Sequence, residues 1–160
     1  MCIRDSTQSY ARVLHHFPAL AQAPELITVA DEVPGRAAEA AAQFGFDTAV
    51  NDWRDLATDR RVRAVSIAAP NFLHREIGVA MAQAGKHIWI EKPVGLSTAD
   101  ATAVADAVRA AGVQGAVGFN YRNAPAVSHA RELIATGELG TALTPDSGCS
   151  ATTPRTLTAP

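Results

Sequence analysis

This sequence has few cysteines, little net charge and no long apolar run. The chain has two cysteines in 160 residues, Cys2 and Cys149, and their places near opposite ends exclude a disulfide framework and a cysteine-based zinc site. The formal net charge is −2, so no basic face favours nucleic acid or a membrane surface as a partner. No apolar run approaches the roughly 20 residues of a membrane helix, and no secretory leader is recognisable. We therefore expect a cytoplasmic, alanine-rich α/β protein without nucleic-acid or membrane partners.

Strand and helix patterns alternate without a gap from about Leu14 to Gly140. Short apolar runs bounded by turn residues predict strands at 25–30, 63–69, 87–92 and 113–119. Between them, apolar residues at helical spacing predict helices that begin near Pro34, Trp53, His74 and Ser97. Strands separated by helices predict βαβ units and a doubly wound parallel sheet, which is the fold class that we expect.

Several side chains are placed to begin or end these helices. Asp52 is a predicted N-cap, and Ser97 with Asp100 has the spacing of a capping box. Gly45 and Gly112 are predicted to end helices in the left-handed conformation that glycine tolerates.

The segment from His87 to Gly95 carries the most informative pattern, an apolar run that ends in Glu91-Lys92-Pro93. Proline prevents further ladder pairing, so we expect the carboxylate and the ammonium at the carboxyl-terminal tip of a strand. A second polar tip, Pro70-Asn71 with His74, follows the apolar run 62–69. Parallel strands bring such tips to one edge of the sheet, where doubly wound folds bind their ligands. Lys92 is our first candidate for a working residue.

The beginning of the chain departs from the pattern of a nucleotide-binding domain. Such a domain opens with an apolar strand, a glycine-rich loop and a helix. Here a helix is predicted from Ala11 onward, and the glycine-free segment 6–11 stands in the place of the loop. Residues 1–6 resemble an artefactual leader, and an ordinary disordered N-terminus is the alternative. Since the first strand is central in a 3-2-1-4-5-6 sheet, we expect its two neighbours either to pair with each other or to leave two edges unpaired.

The end of the chain departs from the α/β pattern as well. An α/β chain would be expected to continue into another strand after Gly140. Residues 141–160 instead contain six threonines and three prolines, with neither helical nor strand periodicity. A disordered linker and an out-of-frame tail are both consistent with this composition.

Together these motifs resemble the glucose–fructose oxidoreductase/inositol dehydrogenase (Gfo/Idh/MocA) family. The matching segments are Ala69-Pro70-Asn71 with His74, the run from Gly85 to Pro93, Gly118 to Arg122, and Gly137 to Gly140. The resemblance implies that 7–122 is an NAD(P)-binding, Rossmann-like domain whose first strand is missing. It also implies that 123–140 is the first helix leading to an absent second α/β domain. The chain would then be a fragment that is inactive by itself.

The resemblance implies a function for the parent protein. Members transfer a hydride between a sugar, polyol or similar hydroxyl compound and the nicotinamide of NAD, or of NADP as the less favoured cofactor. We expect a homo-oligomeric parent with a small, sugar-like or polyol-like substrate. The alternative is a non-catalytic nucleotide-binding or ligand-sensing module, because fold alone does not fix function. Lys92 distinguishes the two hypotheses, since a sensor needs no ammonium near the nicotinamide.

Two charged residues bear on the choice of cofactor. Asp31 lies about twenty residues beyond the position of the loop and would accept hydrogen bonds from the adenosine ribose, which favours NAD over NADP. A plain turn or capping role is the alternative for Asp31. Arg36 would hold a 2′-phosphate if NADP were the cofactor, and a solvated surface charge is its alternative.

The remaining candidates surround the reacting end of the cofactor. By the resemblance, Glu91 binds the ribose near the nicotinamide, while Lys92 contacts the cofactor and is the catalytic residue. Lys92 would hydrogen-bond the substrate hydroxyl and assist removal of its proton, a role that burial of the amine would favour. The other cofactor-binding candidates are Ala69, Pro70, Asn71, His74 and Asn120, and the substrate-binding candidates are Tyr121 and Arg122.

Several of these residues have plainer alternatives. His74 would touch the nicotinamide side, cap its helix or be an ordinary surface histidine, and 120–122 would be a structural hinge. Gly115 and Gly118 lie inside a predicted strand, where they indicate close packing of the backbone. The pair His15-His16 lacks a third ligand at useful spacing, so we expect no metal site.

Overall fold

The structure is a computed structural model that describes residues 3–140. Met1, Cys2 and the whole of 141–160 lie outside the described residues, and so do the expectations for Cys149 and for the threonine-rich tail. The chain divides into two compact units, one that ends at Phe119 and one that begins at Asn120.

Strands and helices alternate along the chain as the sequence predicts. The strands are β1 (Thr28–Ala30), β2 (Thr48–Val50), β3 (Ala64–Ile67), β4 (His87–Ile90) and β5 (Gly115–Val117). The helices are α1 (Ile3–Ala11), α2 (Val13–His16), α3 (Arg36–Phe44), α4 (Arg54–Thr58), α5 (His74–Gln83), α6 (Thr98–Ala111) and α7 (Pro125–Ala135), with 3₁₀ turns at Asn71–Leu73 and Asn120–Asn123. β2 was not predicted, because three residues are too few to show a strand period.

All of the strand pairs are parallel, but the strands form two sheets. β1 pairs with β2, and β4 lies between β3 and β5. Within residues 3–140, β1 and β3 share no ladder. Of the two expected outcomes, pairing of these two strands with each other is therefore not seen in the described residues.

The first helix corrects one expectation. Residues 6–11 were expected to form a loop, whereas α1 runs from Ile3 to Ala11. The physical reason is that the segment contains neither glycine nor proline, and Asp5 in its first turn interacts favourably with the helix dipole. Thr7 is buried, and the Tyr10 hydroxyl is hydrogen-bonded to Ser66 Oγ on β3. The interpretation of residues 1–6 as a leader stays a prediction.

The core of the first unit lies between the three-stranded sheet and helices α5 and α6. Met81 of α5, Ile90 of β4 and Val104 of α6 are all buried there. Gly78 permits the close approach of the two helices, because a Cβ atom at this position would lie 3.2 Å from a Val104 methyl group. This close packing fixes the position of α5 against the sheet, and with it the position of the segment that connects β3 to α5.

The predicted cap at Ser97 is confirmed, whereas the N-cap position of α4 is Trp53 and Asp52 stands one residue before it. Asp52 Oδ1 accepts a hydrogen bond from Arg54 N–H at 2.9 Å, and Ser97 Oγ accepts one from Asp100 N–H at 3.1 Å. The return bond of the capping box is shifted by one residue, since Leu96 N–H, at 3.0 Å, donates to the Asp100 carboxylate. Gly45 and Gly112 end their helices in the left-handed conformation.

The amino-terminal edge of the sheet is held by the loop between α4 and β3. Lys86 is only 7 % exposed, and its Nζ donates to Asp59 O at 2.7 Å and to Val62 O at 2.8 Å. In the same loop, the Arg61 guanidinium donates to the Asp59 carboxylate at 2.8 Å. The hydrogen bonds from the side chain and the main-chain N–H of Arg61 lower the pKa of Asp59 to about 2. Because Lys86 Nζ donates to the carbonyl groups of Asp59 and Val62, the role of Lys86 is structural.

Replacing Lys86 with methionine should destabilise the protein by about 2 kcal/mol, because two buried carbonyl groups lose their donor while the side-chain volume is nearly kept. Urea denaturation followed by circular dichroism measures the change. Arg60→Met, at an exposed position of the same loop, is the matched control and should have no measurable effect. Equal stability of the Lys86→Met protein would show that the two hydrogen bonds are not needed.

Candidate functional site

Three polar segments follow strands at the carboxyl-terminal edge of the first unit. Asp31 follows β1, Ala69-Pro70-Asn71 follows β3, and Glu91-Lys92 follows β4. Ile67 and Ile90, the last residues of β3 and β4, are direct partners in the ladder. The ladder continues one step further, because Glu91 N–H donates to Ile67 O at 2.9 Å. The ends of β3 and β4 are therefore level, which brings their polar segments to one place on the sheet edge.

Glu91 is the most unusual side chain of this edge. It is only 5 % exposed, and its Oε1 is buried without a hydrogen-bond partner among the described residues. A buried carboxylate oxygen without a donor is costly, and such groups in folded proteins are nearly always satisfied by something. The geometry thus gives Glu91 a free acceptor for an O–H or N–H group from a ligand.

Gly118 makes room for the Glu91 carboxylate. A Cβ atom built on Gly118 would lie 2.5 Å from Glu91 Oε1 and 2.9 Å from Glu91 Cδ. Gly118 N–H also donates to Ile90 O at 2.9 Å, so its backbone is held against β4. The predicted close packing at this glycine is confirmed. The contact between Gly118 and the Glu91 carboxylate was not predicted. The available signal was that Glu91 directly follows β4 and Gly118 directly follows β5.

Lys92 directly follows this buried carboxylate and is exposed. The burial that was expected to favour its role is therefore absent within the described residues. Its place is nevertheless well defined, since Glu91 before it is paired to β3 and Pro93 after it contacts α5 through its carbonyl group. The two lysines of the chain, Lys86 and Lys92, stand at opposite ends of β4.

His74 lies at the start of α5 and is 1 % exposed, so the alternative of an ordinary surface histidine is wrong. Its Nδ1 lies 2.6 Å from Pro93 O, and its Nε2 lies 2.8 Å from Ala69 O. The capping alternative is also wrong, because no side chain caps the N-terminus of α5. A contact between His74 and the nicotinamide stays a prediction. Both of its ring nitrogens already have partners within the protein.

The residues between β3 and α5 form a short, ordered connection. Ala69 is half-buried, whereas Pro70 and Asn71 are exposed. Leu73 N–H donates to Pro70 O at 2.9 Å, which closes the 3₁₀ turn that carries Asn71. His74 contacts both Ala69 O and Pro93 O, so this connection begins beside the tip of β4. Contacts of Ala69, Pro70 and Asn71 with a cofactor stay predictions.

Asp31 has the turn role considered for it, and its predicted contact with the adenosine ribose stays a prediction. Its Oδ1 accepts a hydrogen bond from Val33 N–H at 2.9 Å, which is a turn role. Its Oδ2 lies 3.6 Å from Arg36 Nη1, with the side chains 28 % and 62 % exposed, respectively. An ion pair this exposed is weak. Oδ2 is therefore accessible to a ribose hydroxyl, and Arg36 is close enough to act on the same ligand.

The last three candidates belong to the second unit. Asn120, Tyr121 and Arg122 form most of a 3₁₀ turn, and all three side chains are exposed. The turn leads into α7, whose first residue is Pro125. Their predicted roles toward cofactor and substrate are not tested by the structure of this unit taken alone.

Residues 3–140 contain no cluster of three or more histidine, cysteine, aspartate or glutamate side chains suited to a metal ion. In the same residues, no helix has both the length and the apolar character needed to cross a membrane.

Comparison with known proteins identifies the family. Residues 5–119 match the profile GFO_IDH_MocA, described as an oxidoreductase family with an NAD-binding Rossmann fold. Levoglucosan dehydrogenase of Pseudarthrobacter phenanthrenivorans is 43 % identical over 123 residues, which are 77 % of this chain and 31 % of that protein. The scyllo-inositol 2-dehydrogenase (NAD(+)) of Bacillus subtilis is 34 % identical over 116 residues, which are 72 % of this chain and 34 % of that protein.

Solved structures agree with the sequence match. Levoglucosan dehydrogenase in complex with NADH and levoglucosan superposes with a TM-score of 0.78 at 40 % identity, covering 84 % of this chain and 36 % of that one. A Klebsiella pneumoniae NAD-binding oxidoreductase superposes with a TM-score of 0.77 at 37 % identity, again covering 84 % of this chain and 36 % of that one. The chain thus spans about a third of the length of the relatives it matches. The chain belongs to the Gfo/Idh/MocA oxidoreductase family, and its first unit is the NAD-binding Rossmann domain of that family.

Proposed function

We propose that the protein acts in a dehydrogenase that transfers a hydride between NAD and a sugar, polyol or related hydroxyl compound. The observation that carries the proposal is the tip of β4, where a buried carboxylate with a free acceptor directly precedes an exposed lysine. Relatives named as levoglucosan and inositol dehydrogenases support the class of substrate.

The residues of this edge fit the ribose groups of NAD. Ribose hydroxyls donate hydrogen bonds, and Glu91 Oε1 is a buried acceptor in need of a donor. Asp31 Oδ2 is a second acceptor at the end of β1, as in folds that bind the adenosine ribose at this position. The fit does not extend to the pyrophosphate, because no glycine precedes Gly35 in the sequence and α1 occupies the place of the loop. We therefore assign no residue of this chain to the pyrophosphate.

Each of the two residues at the tip of β4 has its own task in the proposed reaction. When bound, NAD supplies an acceptor for the hydride that leaves the hydroxyl-bearing carbon. Glu91 orients the cofactor through the ribose, since its own position is fixed by the ladder and by Gly118. Lys92 Nζ, as the neutral amine, accepts the proton of the substrate hydroxyl while the hydride leaves, and in the reverse direction it returns this proton.

Replacing Lys92 with alanine should lower kcat by about a hundredfold or more, because general acid–base catalysis contributes this much. The affinity for NAD should stay within a few-fold of the original value. The assay uses a chimera in which residues 12–140 replace the matching segment of levoglucosan dehydrogenase, so that the full length of that enzyme is present. Arg63→Ala, which removes an exposed cation at the opposite edge of the sheet, is the control. Unchanged turnover in the Lys92→Ala chimera would favour a sensor over an enzyme.

The same chimera should prefer NAD to NADP because of Asp31. Replacing Asp31 with alanine removes an acceptor for the ribose hydroxyls and should reduce the preference for NAD about tenfold, in line with the strength of a charged hydrogen bond. Titration with both cofactors measures the ratio of their dissociation constants. Arg36→Ala is the matched control. A loss of NADP binding in Arg36→Ala, together with an original preference for NADP, would show that the arginine decides the pocket.

Replacing Gly118 with alanine should raise the KM for NAD about tenfold, with a smaller effect on kcat, because the new methyl group displaces the carboxylate that binds the ribose. Gly115→Ala is the control, since its Cβ atom would meet Val108 methyl groups at 3.2 Å and leave Glu91 untouched. Equal KM values for the two variants would mean that general strain of the strand raises the KM without a specific effect on Glu91. This outcome would contradict the proposed ribose contact.

A further inference from the structure

We propose that His74 is protonated on both ring nitrogens and acts as a positioning residue that ties the tip of β3 to the tip of β4. The positively charged ring would thereby hold the segment that carries Lys92. The consequence for catalysis rests on the function proposed above, whereas the protonation state and the tie do not.

The geometry around His74 leaves its ring with two partners of the same kind. Nδ1 lies 2.6 Å from Pro93 O, and Nε2 lies 2.8 Å from Ala69 O. Both distances are those of hydrogen bonds. The ring is 1 % exposed, so water cannot replace either partner. Rotating the ring by a half turn would put carbon atoms in place of the nitrogens, and both contacts would be lost.

Counting protons at these two contacts determines the form of the ring. A main-chain carbonyl group accepts hydrogen bonds and cannot donate them. A neutral imidazole carries one N–H, so one of its nitrogens would present a lone pair to a carbonyl lone pair at less than 3 Å. Only the imidazolium ion, in which both nitrogens are donors, satisfies both contacts. Hydrogen bonds from a charged donor are also the stronger ones.

The charged side chains on the elements that hold His74 belong to α5 and to the tip of β4. On its own helix, Arg75 and Glu76 are exposed, and Arg75 Nε lies 3.5 Å from Asp100 Oδ1 of α6. From β4, the tip contributes the buried carboxylate of Glu91 and the exposed ammonium of Lys92. The buried groups of this edge are thus one anion and, by this proposal, one cation. Burial by itself disfavours the charged form of histidine, so the two carbonyl acceptors are the groups that stabilise the cation.

The tie acts where the ladder ends. Pro93 has no N–H, so its carbonyl group is the main-chain group through which this residue can be held. His74 binds this carbonyl group on one side of Lys92, and the bond from Glu91 N–H to Ile67 O fixes the other side. Lys92 is therefore the one exposed residue between two anchored neighbours. Fixing the backbone on both sides restricts the region that its amine can reach.

The protonation state is measured directly by nitrogen NMR of the whole 160-residue chain labelled with ¹⁵N-histidine. At about pH 7.5, where an ordinary histidine is mostly neutral, both ring nitrogens of His74 should give the chemical shifts of protonated nitrogen. The exposed His15, His16 and His129 serve as internal references in the same spectrum. One His74 nitrogen at the shift of an unprotonated nitrogen would overturn the proposal.

The tie is tested by replacing His74 with phenylalanine, which keeps a ring but removes both donors. Amide hydrogen exchange in 92–96 should become about tenfold faster, since local opening loses an anchor. His87→Phe is the matched control, because His87 accepts a single main-chain bond, from Gln114 N–H, at the other end of β4. Unchanged exchange in His74→Phe would overturn the tie. In the dehydrogenase chimera, the same variant should lower kcat and leave the KM for NAD unchanged. If Lys92→Ala is fully active while the NMR and exchange results hold, only the proposed function fails.

Discussion

Two hydrogen bonds beyond the last residues of β4 and β5 determine the geometry of the candidate site. Glu91 N–H donates to Ile67 O, and Gly118 N–H donates to Ile90 O, each at 2.9 Å. They extend the parallel ladder by one residue, so the chain after each strand begins at the same level. Because of them, a carboxylate that follows β4 meets a glycine that follows β5, and no bulkier residue at position 118 would leave it room. The burial of the Glu91 carboxylate therefore results from the register of the sheet.

The sequence allowed the alternation of strands and helices, the parallel sheet and the polar strand tips to be predicted, because each depends on local signals. Apolar runs, a capping serine at position 97 and a glycine after Phe44 act within a few residues of themselves. The capping bonds and the left-handed glycines of the structure follow from them. Glu91 and Lys92 were placed correctly for the same reason, since the proline that follows them ends the strand.

What could not be predicted depends on residues that are distant in sequence. The partners of His74 are the carbonyl groups of residues 69 and 93, and they become neighbours only when β3 and β4 end at the same level. A lone histidine at the start of a helix carries no signal of these partners. The helix formed by residues 3–11 was missed because a loop was expected from analogy with a nucleotide-binding fold, whereas the local composition favours helix. For this segment, the local composition predicts the structure better than the analogy does.

The two lysines of the chain show how the same side chain acquires different roles on one strand. Lys86 precedes β4 and is buried, and its amine donates hydrogen bonds to two carbonyl groups. The role of this amine is therefore structural. Lys92 follows β4 and is exposed beside a buried carboxylate, so its amine is accessible to a ligand. A strand of four residues separates them by about 20 Å, estimated from the rise of an extended chain. The sheet thus places its structural cation at the amino end and its chemically available one at the carboxyl end, where parallel folds bind their ligands. The direction of the strand, which follows from the parallel βαβ connections, is what separates the two roles.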